Sequence, residues 1–146
     1  MMDPSTTPTG ASPSHYHLLV KPSGAACNLS CKYCFFLSKE ALYPGERHRM
    51  DEITLEAYLS QLMASSAGSQ VQIAWQGGEP LLRGLEFYKR SVQIAERYRK
   101  AQQHVRHSIQ TNGTRSMTTG RHSSETMAIW SDSALTAPGS CTTRSG

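Results

Sequence analysis

The sequence predicts an α/β fold in which parallel strands alternate with helices. Strand-like and helix-like apolar patterns alternate along residues 16–113, in the order strand, helix, strand, helix, strand. A segment with cysteines, or with glycine beside a polar side chain, directly follows each predicted strand. Strands separated by helices pair in parallel, so their carboxyl ends share one rim of the sheet, where α/β folds place their chemistry.

The chain begins with a segment that offers little to bury. Residues 1–14 consist largely of Pro, Ser, Thr and Gly, and they lack the apolar stretch of a secretory signal, so we expect a disordered leader. The apolar run at Tyr16–Lys21 predicts a short buried strand that Pro22 and Gly24 end. In the connection that follows, Tyr43–Gly45 predicts a turn.

Two helices and two further strands follow. The first helix carries an apolar stripe, and Asp51 or Thr54 could cap it. The stripe consists of Leu55, Tyr58, Leu59, Leu62 and Met63. Alternation of Val71, Ile73 and Trp75 with polar or small residues predicts the second strand. A second amphipathic helix is predicted over Leu85–Ala101, and a third strand over Val105–Ile109.

Composition excludes several classes of function. The chain has 146 residues, enough for one small domain, and a formal net charge of +4 that is scattered along it, which argues against a nucleic-acid partner. No apolar run approaches the roughly 18 residues of a membrane span, so we expect no membrane partner. Four cysteines, three of them clustered, indicate metal binding in a reducing cytoplasm and not a disulfide framework.

The clustered cysteines are the strongest chemical signal. Cys27, Cys31 and Cys34 have the spacing Cys-x3-Cys-x2-Cys in the loop after the first strand. Three thiols are too few for a closed structural zinc site, which takes four ligands, but they suit a [4Fe–4S] cluster with one open iron. A zinc site with His48 as the fourth ligand, or simply buried thiols, are the alternatives.

Two later motifs end the second and third strands. In Gly77-Gly78-Glu79-Pro80, two glycines let the backbone approach a ligand and a carboxylate can pair with an ammonium group, although a plain turn is the alternative. Thr111-Asn112-Gly113 is weaker alone, because Asn-Gly is common in turns.

Together these motifs resemble the radical S-adenosylmethionine (SAM) enzymes. The resemblance implies that Cys27, Cys31 and Cys34 hold the cluster, whose open iron binds the amino and carboxylate groups of SAM. It also implies that the Tyr33 ring lies against the adenine and that Gly77, Gly78, Glu79 and Pro80 bind the SAM amino group, with Asn112 in the same cofactor site. The implied fold is part of a (β/α)6 partial barrel, of which this chain has the β-α-β-α-β portion.

The resemblance narrows to the anaerobic sulfatase-maturating enzymes. It covers residues 15–114 and includes Met50-Asp51 and the longer stretch Trp75–Leu81. That family oxidises a Cys or Ser of a sulfatase polypeptide to Cα-formylglycine, and it needs a reductant such as flavodoxin or ferredoxin. The family supplies its aspartate base and auxiliary clusters from a region without counterpart here, so no catalytic side chain is identifiable.

The last 32 residues differ in character. Sixteen of them are Ser, Thr or Gly, without a periodic apolar stripe, so residues 115–146 predict a disordered tail. Codons that could encode residues 135–146 can be read two bases further along as DGPGKLHDAFR, similar to a later segment of the family. We hypothesise that this tail is out of frame and that the radical SAM domain, residues 15–114, is incomplete, with its third strand left at an exposed edge.

Three interpretations of function stay open from the sequence. The first is the SAM-cleaving part of a sulfatase maturase, and the second is another peptide-modifying radical SAM enzyme. The third is a non-catalytic module that binds zinc or a cluster.

Overall fold

A parallel sheet organises the molecule. The computed structural model describes residues 16–40, 42, 49–115, 127–131 and 141–143. Its strands are β1 (Leu18–Val20), β2 (Leu29–Cys31), β3 (Gln70–Trp75), β4 (His104–Thr111), β5 (Met127–Ser131) and β6 (Cys141–Thr143). Strands β1, β3, β4 and β5 form one sheet in the order β1-β3-β4-β5, with every pair parallel. Strands β2 and β6 form a small antiparallel sheet.

Helices connect these strands. They are α1 (Leu37–Glu40), α2 (Glu52–Ser65) and α3 (Leu85–Tyr98), and a 3-10 helix at Pro80–Arg83 precedes α3. The predicted α/β class and the parallel pairing are therefore confirmed. Among the described residues, no helix has both the length and the apolar character needed to cross a membrane.

The two faces of the sheet differ in chemistry. On β3, Val71, Ile73 and Trp75 are buried while Gln72 is exposed, because successive side chains point to opposite faces of a strand. The buried face packs against the apolar stripes of α2 and α3. Those stripes consist of Leu55, Leu59, Leu62, Met63, Phe87, Tyr88, Ile94 and Ala95.

An aromatic cluster around Trp75 joins the sheet to the helices. The indole is 1% exposed, and its ring centroid lies 5.6 to 6.3 Å from those of four neighbouring rings. These rings belong to Tyr58, Phe87, Tyr88 and His107. The contacts with Tyr58, Phe87 and Tyr88 are edge-to-face and that with His107 is stacked, and such ring pairs stabilise a core beyond the area that they bury.

Polar contacts fix the ends of the helices. Asp51, one of the two predicted caps, caps α2, because its carboxylate accepts the Thr54 N–H at 2.7 Å. Helix α3 ends at Tyr98, three residues before the predicted Ala101. The Lys100 N–H is bound by the Gln103 side chain at 2.9 Å, so the helix does not continue. The Gln103 amide also donates to the Met63 and Ser66 carbonyls, which ties this turn to the end of α2.

The structure also contains elements that the patterns did not predict. Strands β5 and β6 lie within residues 115–146, for which the composition predicts a disordered tail. Strand β5 pairs with β4 over His107–Thr111, so β4 is not the exposed edge that we expected. The four consecutive residues Met127–Trp130 are all apolar, and a short apolar run suits such a strand. The predicted leader and the turn at Tyr43–Gly45 fall outside the described residues, and the division into domains stays a prediction.

Candidate functional site

A cavity opens at the carboxyl ends of β3 and β4, beside the loop that carries the cysteines. Its volume is about 220 Å³. The lining comes from three segments: Cys27, Leu29, Cys31, Tyr33, Cys34 and Phe36 from the first, Gln76, Gly77 and Gly78 from the second, and Gln110, Thr111 and Asn112 from the third. The three sequence motifs therefore meet in space, as parallel pairing predicts.

The three cysteines of the motif differ in their chemical state. Cys27 and Cys34 are free thiols of intermediate exposure. Cys31 is disulfide-bonded, and Cys141 lies opposite it in the β2–β6 pairing. Burial raises the pKa of the Cys27 thiol, and hydrogen bonds from the Leu29 N–H and the Asn112 amide oppose that effect only in part.

The arrangement of possible metal ligands tests whether the site could hold the predicted cluster. Among the described residues, no group of three His, Cys, Asp or Glu side chains is arranged to hold a metal ion. A cysteine in a disulfide cannot ligate iron, because the ligand is the thiolate. Cys27, Cys31 and Cys34 nevertheless line one cavity, so the donor set fits a cluster with three cysteine ligands once Cys31 is reduced. His48, the alternative zinc ligand, lies outside the described residues.

The paired glycines pack against the cysteine loop. An added Cβ at Gly78 would lie 2.1 Å from the Ala26 carbonyl oxygen, and Gly77 has a φ of +130°, so neither position accommodates a side chain without a shift. The Gly78 N–H donates to the Gly24 carbonyl at 3.0 Å, and the Glu79 N–H donates to that of Ala26 at 2.8 Å. The close approach that the sequence predicts is therefore made, first of all, to the protein's own backbone.

The Glu79 carboxylate joins the ends of β3 and β4. Its side chain is fully buried. One oxygen accepts the Leu81 N–H at 2.9 Å and the Thr111 hydroxyl at 2.8 Å, and the other accepts the Asn112 N–H at 2.8 Å. The sequence assigns Glu79 to a ligand's ammonium group, but in this structure its partners are three groups of the protein. Pro80 is likewise buried, at the start of the 3-10 helix.

The Asn112 side chain reaches the cysteine loop. Its amide nitrogen lies 3.5 Å from the Cys27 sulfur and 3.1 Å from the Asn28 side-chain oxygen. Tyr33 also lines the cavity and is 58% exposed. The cofactor roles of these residues stay predictions.

Sequence reasoning missed four side chains of the cavity, namely Leu29, Phe36, Gln76 and Gln110. Gln76 and Gln110 each come immediately before a glycine- or asparagine-containing motif, and Phe36 follows the third cysteine by two positions. A signal for the glutamines was present. Gln110 alternates with the buried Ile109 and Thr111 on β4, so it belongs to the face opposite the helices.

Comparison with known proteins extends these observations. Residues 22–135 match the Radical SAM superfamily. A serine-type anaerobic sulfatase-maturating enzyme of Klebsiella pneumoniae is 41% identical over 105 residues, which are 70% of this chain and 26% of that protein. A cysteine-type anaerobic sulfatase-maturating enzyme of Clostridium perfringens (strain 13 / Type A) is 36% identical over 99 residues, 66% of this chain and 26% of that protein.

Solved structures give a similar result. One described as native anSMEcpe with bound AdoMet and Cp18Cys peptide has a TM-score of 0.56 and 32% identity. The match covers 66% of this chain and 24% of that one. The chain thus spans about a quarter of the length of the curated relatives and structures that it matches.

Proposed function

The chain belongs to the radical SAM superfamily, and from this premise we propose that it binds a [4Fe–4S] cluster and SAM in the cavity at the ends of β3 and β4. Cys27, Cys31 and Cys34 are the proposed iron ligands. The observation that carries the proposal is that these cysteines share a cavity with the Gly77-Gly78 turn and Asn112, although the sequence separates the three segments widely.

The chain's own residues have defined tasks in this proposal. Three cysteines leave one iron of a [4Fe–4S] cluster without a protein ligand, which gives SAM a place to bind. The turn at Gly77 and Gly78 offers backbone groups at the cavity wall with no side chain in the way. The Tyr33 ring, which lines the cavity, is the aromatic group proposed to lie against the adenine.

The proposed reaction is the oxidation of a Cys or Ser of a sulfatase polypeptide to Cα-formylglycine. Cys27, Cys31 and Cys34 would hold the cluster, and the cluster with SAM would supply radical chemistry that can remove a hydrogen atom from Cβ of the target residue. The reductant would be a small electron-transfer protein such as flavodoxin or ferredoxin, and the location the cytoplasm. The relatives named above include a serine type and a cysteine type, which is why both target residues are proposed.

Anaerobic reconstitution tests the proposal. The chain is first reduced with dithiothreitol, because Cys31 is otherwise disulfide-bonded, and is then loaded with iron and sulfide. After dithionite and SAM are added, 5′-deoxyadenosine is measured. We expect about four irons per chain and nucleoside formation, with both lost in Cys34→Ala and retained in the matched control Cys141→Ala.

The outcomes separate the interpretations. Iron binding with no 5′-deoxyadenosine would contradict SAM cleavage and favour a non-catalytic cluster-binding module. Binding of one zinc in place of iron would favour a zinc module. Nucleoside formation without modification of a sulfatase peptide that contains the target Cys or Ser would favour another peptide-modifying radical SAM enzyme.

A further inference from the structure

We propose that Asn112 is a positioning residue that donates a hydrogen bond to the Cys27 sulfur and thereby raises the reduction potential of the bound cluster. The inference rests on the proposed function, since it concerns a cluster ligand. The resemblance assigns Asn112 to SAM, whereas in this structure its amide nitrogen points to Cys27 and Asn28, at 3.5 and 3.1 Å.

A closed ring of hydrogen bonds fixes which end of the amide faces the sulfur. The Thr114 backbone N–H, which can only donate, lies 3.0 Å from the Asn112 side-chain oxygen, so the nitrogen must occupy the other position. That nitrogen donates to Asn28, the Asn28 amide donates to the Thr114 hydroxyl at 2.7 Å, and the hydroxyl donates back to Asn112 at 2.7 Å. Rotating the Asn112 amide by half a turn would place its NH2 group against the Thr114 N–H and its oxygen against the Asn28 side-chain oxygen.

The backbone of Asn112 is anchored as well. Its N–H donates to the buried Glu79 carboxylate at 2.8 Å, and the same carboxylate accepts the Thr111 hydroxyl at 2.8 Å. The side chain therefore starts from a fixed point immediately after β4 and ends in the ring with Asn28 and Thr114. A donor held at both ends keeps its direction when the sulfur it faces changes charge.

Cys27 receives two donors from different parts of the fold. The Leu29 N–H lies 3.4 Å from the sulfur and comes from the cysteine loop itself. The Asn112 amide comes from the end of β4, 85 positions away in sequence. Hydrogen bonds to the sulfurs of an iron–sulfur cluster stabilise its more negative, reduced state and so raise the potential. Removal of the Asn112 donor should make the potential more negative.

Two variants of Asn112 test this inference. Asn112→Leu removes the donor without adding charge, and Asn112→Asp keeps the shape but replaces the donor with an anionic acceptor. Gln93→Leu, on the exposed side of α3, is the matched loss of an amide away from the cavity. Each chain is reduced, loaded with iron and sulfide, and titrated electrochemically with EPR detection, and resonance Raman spectra record the Fe–S stretching bands.

The expected result is iron content equal to wild type with a graded change in potential. Asn112→Leu should shift the midpoint potential to more negative values, and Asn112→Asp should shift it further, with Fe–S stretching bands displaced in both. Gln93→Leu should match wild type. A purely structural role for Asn112 would change the amount of cluster but neither the potential nor the bands.

Other outcomes overturn the inference in distinguishable ways. Loaded variants with the wild-type potential would overturn the role of Asn112 while the proposed function stands. Loss of iron from both Asn112 variants, with wild type loaded, would show that the residue only builds the loop. A wild-type chain that binds no iron would overturn the proposed cluster and this inference with it.

Discussion

Trp75, at the end of β3, and Glu79, in the turn that follows, stabilise the fold in two different ways. Toward the helices, Trp75 packs among aromatic and aliphatic side chains, and many small contacts share the stabilisation. Only four positions later, Glu79 holds the rim by three directed hydrogen bonds to one carboxylate. The first region tolerates gradual change, whereas the second depends on each donor finding its acceptor.

The largest loss of stability should come from disrupting the aromatic cluster around Trp75. Trp75→Ala removes the ring at the centre of the aromatic cluster and leaves a cavity, at a cost of about 3–5 kcal/mol in the free energy of unfolding. Urea denaturation followed by circular dichroism measures this. Ile53→Ala is the control, because that side chain is 82% exposed and should cost little. Equal losses in both variants would contradict the packing described here.

A second experiment titrates His107, a polar side chain that is buried beside Trp75. Burial lowers the pKa of His107 from 6.5 to about 4, with the Glu96 carboxylate opposing the shift. Since the unfolded chain binds a proton in this range and the folded chain does not, stability is fully present above pH 6.5 and falls between pH 6.5 and 4. The loss should approach about 3 kcal/mol.

Urea denaturation at several pH values measures this dependence. His107→Gln is the informative comparison, because glutamine does not titrate and its oxygen can still accept the Trp75 indole N–H, which lies 3.4 Å from the histidine ring nitrogen. The free energy of unfolding is plotted against pH for wild type and variant. The difference between the two slopes isolates the contribution of His107 from that of carboxylates that titrate in a similar pH range. Identical slopes would show that His107 is not the titrating group.

The smallest expected loss of stability comes from weakening the hydrogen bonds that Glu79 accepts at the ends of β3 and β4. In Glu79→Gln a single oxygen must serve donors that two oxygens now serve, which leaves a donor unsatisfied at a cost of about 1–3 kcal/mol. Hydrogen exchange should speed up at the Leu81 and Asn112 amides more than at Ile109. Asp51→Asn is the matched control, because Asp51 also accepts a backbone N–H but is exposed, and asparagine caps helices equally well.

The sequence predicted the layered fold well because its apolar spacing is regular. The alternation on β3 and β4 has one dominant period, and the spacing of Leu55, Leu59, Leu62 and Met63 on α2 marks the residues that are buried, so these faces could be named in advance. Strand β2 could not, because Leu29–Cys31 is too short to show a period and pairs with a strand far along the chain. Its pairing depends on tertiary contact.

The sequence predicted which segments come together at the site but not how their residues contact one another. Spacing and the order of strands place Cys27, Gly78 and Asn112 at one rim. Neither reveals that Glu79 turns inward, because a carboxylate between glycine and proline reads equally well as a ligand for an external ammonium group. That choice depends on where the Thr111 and Asn112 donors lie, and only the register of β3 with β4 determines this.

The close contact of Gly78 with the cysteine loop has a consequence for synthesis on the ribosome. The Val20, Gly24 and Ala26 carbonyls receive their hydrogen bonds from Gln76, Gly78 and Glu79, about 50 residues later. The cysteines are therefore translated well before the backbone that shapes their loop, and the nascent chain carries them unsupported in the interval. Nascent chains stalled before residue 70 should leave all three thiols open to alkylation, and protection at that length would show that the loop forms alone.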